Sequence, residues 1–314
     1  VLNNGKPVTA KTDAITVDKA DGTQDVVFKF DATDYKGKDI VVYEKLLSGK
    51  DKDIEYTQHE DIEDEGQTVH YPEIGTTAKD SQTGENFGYA TENTTIIDTV
   101  HYKNLVSGIT YELVGTLYDK ETGKPVGVAS DVKATATDAD ANTETDADES
   151  STEKYVTNTV QFTATGKDGD IDVPLTFNAL NFKGRDVVVF EKLYVLKPDG
   201  TKVEIPLAQH EDIEDEGQTV HYPEIGTEAF DAETFLHETE ARTDLVITDK
   251  VRYTNVVPGI EYTVTGKLMN AKTEQPITDA AGNEVTSTAT VVPTEKNGVA
   301  EVEFKFDASL LRGE

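Results

Sequence analysis

Short apolar runs alternate with polar positions along most of the chain. Val26-Val27-Phe28-Lys29-Phe30 and Ile40-Val41-Val42-Tyr43 read as strands, as do Thr110-Tyr111-Glu112-Leu113-Val114 and Val187-Val188-Val189-Phe190. Turn pairs punctuate them at Asn4-Gly5, Asp21-Gly22, Asp199-Gly200 and Pro258-Gly259. No long stretch carries a helical period. Short strands with frequent turns predict an all-β chain built of antiparallel β-sandwiches.

An internal repeat sets the domain count. Residues 58–76, QHEDIEDEGQTVHYPEIGT, return letter for letter at 209–227, an offset of 151 (209 − 58). The offset continues from Asp98 to Asp249, Tyr102 to Tyr253, Gly108 to Gly259, Tyr111 to Tyr262 and Pro125 to Pro276. Upstream, DVVFKFDATDYKGKDIVVYEKL (25–46) corresponds to DVPLTFNALNFKGRDVVVFEKL (172–193), and its beginning returns as EVEFKFDASLLRGE (301–314). The expected division is the late part of one repeat over 1–72, a complete repeat over 73–223 and the early part of a further repeat over 224–314. The junctions at Pro72 and Pro223 contain no Gly/Ser-rich stretch, which predicts a stiff array.

Charge and composition narrow the function classes. The formal net charge is −32, which excludes a nucleic-acid binder driven by phosphate contacts and disfavours an anionic membrane surface. No apolar run approaches the roughly 20 residues of a membrane span, and no signal peptide, anchor or address motif stands out. Cysteine is absent, so disulfides and thiolate metal sites are excluded. The acidic stretch at 133–155 is expected to be a solvated loop. Its alternating aspartates could supply oxygen ligands to calcium, but the spaced Gly and closing Glu of a helical-hairpin calcium loop are missing.

Several polar residues recur where a sandwich should bury apolar ones. Glu191 directly follows Val187-Val188-Val189-Phe190 and shares a face with Val189 and Val187; Glu44 repeats the pattern after Ile40-Val41-Val42-Tyr43. Asp98 shares a face with Ile96, Val100 and Tyr102, and Asp249 is its counterpart. A buried carboxyl must hold its proton or find a partner, and two brought together can share one. His210 lies near Asp212 and Asp215, either of which could fix its tautomer. Gln218 alternates with Val220 and Tyr222 on the expected inward face of a last strand. Thr76 recurs as Thr227, whereas Thr99 is replaced by Lys250, so Thr76 is the preferred hydroxyl.

The segments IGTTA (74–78), IIDTVHYKNL (96–105), VVFEK (188–192) and HEDIEDEGQTV (210–220), in that order and repeated, resemble the Thr–Gln ester-bond domains of VaFE-repeat surface-anchored proteins of Gram-positive bacteria. The resemblance covers essentially the whole chain. It implies tandem immunoglobulin-like sandwiches of the Cna type, whose first and last strands are joined by a self-made ester. Carried over by position, Thr76 is the nucleophile, Gln218 the acceptor, Asp98 and Glu191 the proton-sharing acids and His210 the base; Asp215 is counted with them as a carboxylate near that histidine. Glu44, His59 and Gln67 match in the first repeat, and Thr227 and Asp249 in the third. Gln67 and Thr227 would find their partners outside this chain or in another molecule. The departures are Lys250 in place of Thr99, the acidic insertion, and the lack of an export signal or wall-sorting motif.

The resemblance thus implies a stalk on a cell-wall-anchored extracellular adhesin, with no cofactor and no metal. Its partners would be neighbouring repeats, and a host or surface ligand would bind a tip domain elsewhere. Two other readings stay open at this level: a secreted hydrolase using Thr, His and carboxylates, and a calcium-dependent ligand-binding module.

Overall fold

The computed structural model describes residues 2–3, 5–48, 54–128, 154–279 and 281–311. The first repeat contributes β1 (Leu2–Asn3), β2 (Lys6–Pro7), β3 (Lys38–Val41), β4 (Glu44–Leu47), β5 (Glu55–His59) and β6 (Thr68–Tyr71). The middle repeat contributes β7 (Glu73–Asp80), β8 (Thr94–Lys103), β9 (Thr110–Asp119), β10 (Lys124–Pro125), β11 (Thr157–Thr163), β12 (Gly169–Phe177), β13 (Arg185–Val195), β14 (Ala208–His210) and β15 (Thr219–Tyr222). The third contributes β16 (Glu224–Asp231), β17 (Leu245–Thr254), β18 (Tyr262–Lys267), β19 (Thr286–Val291) and β20 (Gly298–Phe306). Among the described residues the helices are single 3-10 turns, and none is long and apolar enough to cross a membrane. Of the stretch at 133–155, residues 133–153 lie outside the described residues.

The middle repeat is a two-layer antiparallel sandwich. One sheet has the order β12-β8-β7; the other runs β10-β9-β13-β14, with β11 beside β9 and β15 beside β13. The period-2 pattern dictates what faces inward. On β8, Thr94, Ile96, Asp98, Val100 and Tyr102 are buried; on β7, Ile74, Thr76, Ala78 and Asp80 are. Two apolar clusters fill the space between the layers. One gathers Ala78, Ile96 and Leu175 from the first sheet with Leu117, Val189 and Val220 from the second. The other gathers Ile74, Val100 and Val173 with Tyr111, Leu113 and Leu193. Burial of this kind stabilises by about 25 cal/mol per Å² of apolar surface.

The same pattern gives a strand only where a partner lies beside it. Gly298–Phe306 pairs with β17, and Gly169–Phe177 pairs with β8. The related run Val26–Phe30, expected as a strand, is not one. Among the described residues no strand of the first repeat corresponds to β8, so the backbone groups of Val26–Phe30 have no ladder to join.

Candidate functional site

Three adjoining strands carry polar residues into the middle of the sandwich. Thr76 lies between Ile74 and Ala78 on β7, Asp98 between Ile96 and Val100 on β8, and Glu191 between Val189 and Leu193 on β13. In each case one apolar neighbour belongs to the first core cluster and the other to the second. The polar groups therefore sit at mid-height, sealed above and below. Thr76 is 9 % exposed; Asp98, Glu191 and Gln218 are 0 % exposed. Gln218 immediately precedes β15 rather than lying in it; its backbone carbonyl accepts from Val189 N at 3.2 Å and its N–H donates to Asp215 O at 3.2 Å. Ala78 N donates to Gly217 O at 2.9 Å, which ties the strand carrying Thr76 to the segment carrying Gln218.

These groups lack partners. Thr76 Oγ1, both amide atoms of Gln218 and all four carboxyl oxygens of Asp98 and Glu191 are buried without a hydrogen bond from an ordinary donor. Native interiors rarely leave such groups unsatisfied, since each costs about 1–3 kcal/mol. The acids answer part of this themselves. Glu191 is raised well above the usual carboxylate value, first by burial and then by the negative charge of Asp98 beside it. Asp98 is pushed up to about 6 by burial, against opposing effects from Glu191, His210 and Thr76. Burial disfavours the charged form of both groups, and two carboxyls held this close disfavour double ionisation.

Glu191 fits because its neighbour in the sheet is a glycine. Gly115 lies opposite it in the β13–β9 register. A Cβ on Gly115 would fall 2.5 Å from Glu191 Oε1 and 2.9 Å from Val173 Cγ1. On the other side Glu191 pairs with His210 of β14. His210 is partly exposed, and its Nε2 meets Asp215 Oδ2 at 2.8 Å. Asp215 is in turn fixed by Gly217 N, which donates to Oδ1 at 2.7 Å. Asp212, the other carboxylate near His210 in sequence, instead accepts from Glu214 N at 3.0 Å. Thr99 points away from the acids, and its hydroxyl donates to Asp172 Oδ1 at 2.7 Å on an exposed face.

The first repeat shows part of this arrangement in a more open setting. Glu44 pairs with His59, His59 Nε2 meets Asp64 Oδ2 at 2.8 Å, and Gln67 Nε2 donates to Glu44 Oε2 at 2.6 Å. In the third repeat Thr227 and Asp249 lie on neighbouring strands, as Thr76 and Asp98 do. Thr227 is exposed; Asp249 is partly buried and burial pushes its carboxyl up. The +151 counterpart of Thr99, Lys250, rests over the Phe230 ring at 5.0 Å. Sequence reasoning missed Gly115. Its recurrence as Gly266 was the available signal.

No curated protein sequence matches the chain. Solved structures similar to it include two crystal forms of a bacterial adhesin from Mobiluncus mulieris, described as containing intramolecular disulfide, isopeptide and ester bond cross-links. One is 15% identical with a TM-score of 0.36, covering 74% of this chain and 76% of that one. The other is 14% identical with a TM-score of 0.37, covering 74% of this chain and 98% of that one. A family model described as the T-Q ester bond containing domain matches residues 1–71, 72–222 and 223–314. Three consecutive matches account for the whole length, and the chain belongs to the family of T-Q ester bond containing domains.

Proposed function

We propose that the middle repeat forms an ester between Thr76 and Gln218 within its own core, and that the chain serves as a structural stalk of a cell-surface adhesin. The observation that carries this reading is the cluster of buried, unpartnered polar groups on β7, β8, β13 and the approach to β15. Such a cluster is costly as it stands and becomes satisfied by one reaction. The Thr76 hydroxyl oxygen attacks the Gln218 carboxamide carbon. His210, with Asp215 behind it, takes the hydroxyl proton. The proton on the Asp98/Glu191 pair faces the developing oxyanion, as the donors of an oxyanion hole do. The carbon–nitrogen bond breaks, His210 returns the proton to the nitrogen, and ammonia leaves. The product has no threonine donor and no amide N–H₂ to satisfy, and its carbonyl accepts from the protonated acid.

Folding supplies the proximity that makes a weak nucleophile and a weak acyl donor react. The apolar clusters above and below exclude water from the ester. The chain consumes its own side chains once, so it is not a turnover enzyme.

The mechanical result follows from where the link falls. Thr76 lies near the start of β7 and Gln218 just before β15, so tension entering at one end of the module leaves at the other through the ester. The strands between them carry little of the load. Tandem modules of this kind suit an extracellular, cell-wall-anchored fibre whose binding tip lies elsewhere. The decisive experiment is intact mass spectrometry of the folded chain. A deficit of one ammonia, absent from Gln218→Ala and mapped to a Thr76–Gln218 cross-linked peptide, is the expected result; a full mass in folded protein overturns the reading.

A further inference from the structure

The two junctions between repeats are built from the same parts. Asn104 and Asn255 both adopt the left-handed backbone region, with φ of 61° and 59°. Asparagine tolerates that conformation better than most residues, yet its use at both junctions asks for a reason. Both side chains are buried, at 6 % and 5 % exposure, and both reach back into the preceding repeat. Asn104 Nδ2 donates to Lys38 O at 2.9 Å. Asn255 Nδ2 donates to Arg185 O at 2.8 Å and to Asp186 Oδ1 at 2.5 Å. The turn is held from its own side by a side-chain acceptor, Asp168 Oδ1 for Asn104 N at 3.1 Å and Asn297 Oδ1 for Asn255 N at 2.9 Å.

The receiving side also recurs. Asp39 and Asp186 each hold a histidine of the last strand of their own repeat, with His70 Nδ1 and His221 Nδ1 at 2.7 Å. Each also takes a lysine from the following repeat, Lys167 at 3.3 Å and Lys296 at 3.2 Å. Burial pushes the Asp186 carboxyl up, but the hydrogen bonds from His221 and Asn255 and the charge of Lys296 hold it at about 2. A glycine with positive φ lies two residues before each aspartate, and a side chain there would meet the next repeat. Gly37 would place a Cβ 2.9 Å from Glu73 Oε2, and Gly184 3.3 Å from Thr254 Cγ2.

We infer that Asp39 and Asp186, each with its histidine and the adjoining strand carbonyl, form a docking surface that accepts the left-handed asparagine turn of another repeat of this family and fixes its orientation. The match is chemical. A carboxamide N–H₂ supplies two donors to a carbonyl and a carboxylate, the latter well shielded at Asp186 and more open at Asp39, and a lysine completes the charge. A side chain from a turn of one module is thereby bonded to the backbone of the module before it, so the joint resists both bending and rotation. The inference is independent of the ester, since none of these residues belongs to the Thr76–Gln218 site.

The chain has no cysteine, so pairs of labels can be placed cleanly. Nitroxides on Thr176→Cys and Thr290→Cys, both at exposed positions, report the distance between the middle and third repeats by pulsed electron resonance. The otherwise unaltered chain is expected to give one narrow distance. Asn255→Gly, which keeps the backbone conformation and removes only the carboxamide, is expected to lose that peak, as is Asp186→Ala from the opposite side. Circular dichroism shows that the modules remain folded. A narrow peak retained in Asn255→Gly overturns the inference, and so does a broad distribution in the unaltered chain. If Asp186→Ala unfolds its module, Asn255→Gly decides alone.

Discussion

Replacing Thr76 by Val isolates the contribution of the cross-link. The two side chains have nearly the same shape, and Thr76 Oγ1 is buried without a partner, so losing the hydroxyl removes an unsatisfied group rather than a contact. What Thr76→Val does lose is the constraint on the unfolded chain. The proposed ester would close a loop of 142 residues (218 − 76), for which the chain-entropy treatment of a disulfide gives about 5 kcal/mol. For a module of this size each kcal/mol moves Tm by about 2–4 °C, so the transition of the middle repeat should fall by about 10–20 °C. Scanning calorimetry of the two proteins, with intact mass recorded on the same samples, measures this. A Thr76→Val transition within about 3 °C of the unaltered chain would refute the reasoning, because a covalent tie across the module cannot leave its unfolded ensemble unconstrained.

Three further outcomes are expected. In the uncross-linked Thr76→Val protein, folded Asp98 and Glu191 keep protons that the unfolded chain releases near pH 4, where unperturbed carboxyls titrate. Stability should therefore fall as pH rises from about 4 through the Asp98 value of about 6 and beyond, and Glu191→Gln should flatten that slope in denaturant titrations at several pH values. His210→Ala should slow ammonia loss by about 10²–10⁴ in a time course of intact mass, and a rate equal to the unaltered chain would remove His210 from the mechanism. Gly115→Ala should press a methyl against Glu191 and Val173, costing about 1–3 kcal/mol; felt at the transition state, that is about a tenfold to hundredfold slower cross-linking, and undisturbed kinetics would show that Glu191 has room to spare.

Two stretches of identical sequence show where sequence reading stops. Thr76 and Thr227 end the same nineteen-letter segment, yet Thr76 is buried and Thr227 exposed. Gln218 is fully buried, whereas Gln67 is only partly covered and is bonded by Glu44. Burial belongs to the strands that pack over a residue, and those strands differ although the segment does not. Similarly, Val26–Phe30 has the alternation of a strand but no partner strand among the described residues, while its relative Glu301–Phe306 lies within β20 against β17. The preference for Thr76 over Thr99 could be drawn from recurrence alone. That Thr99 faces Asp172 on the outside follows from the pleat of β8, which turns Asp98 inward.

By itself the sequence determined the all-β character, the repeat and the set of recurring polar residues, because alternation, turn residues and the 151-residue offset are local or additive properties of the chain. Only the tertiary structure decided that burial raises both Asp98 and Glu191, that Gly115 makes room for Glu191 and that Asn104 and Asn255 bridge successive repeats. Each of these depends on residues far apart in the chain being brought within hydrogen-bond or van der Waals distance, and a shifted proton or a tight contact exists only once water has been excluded between them.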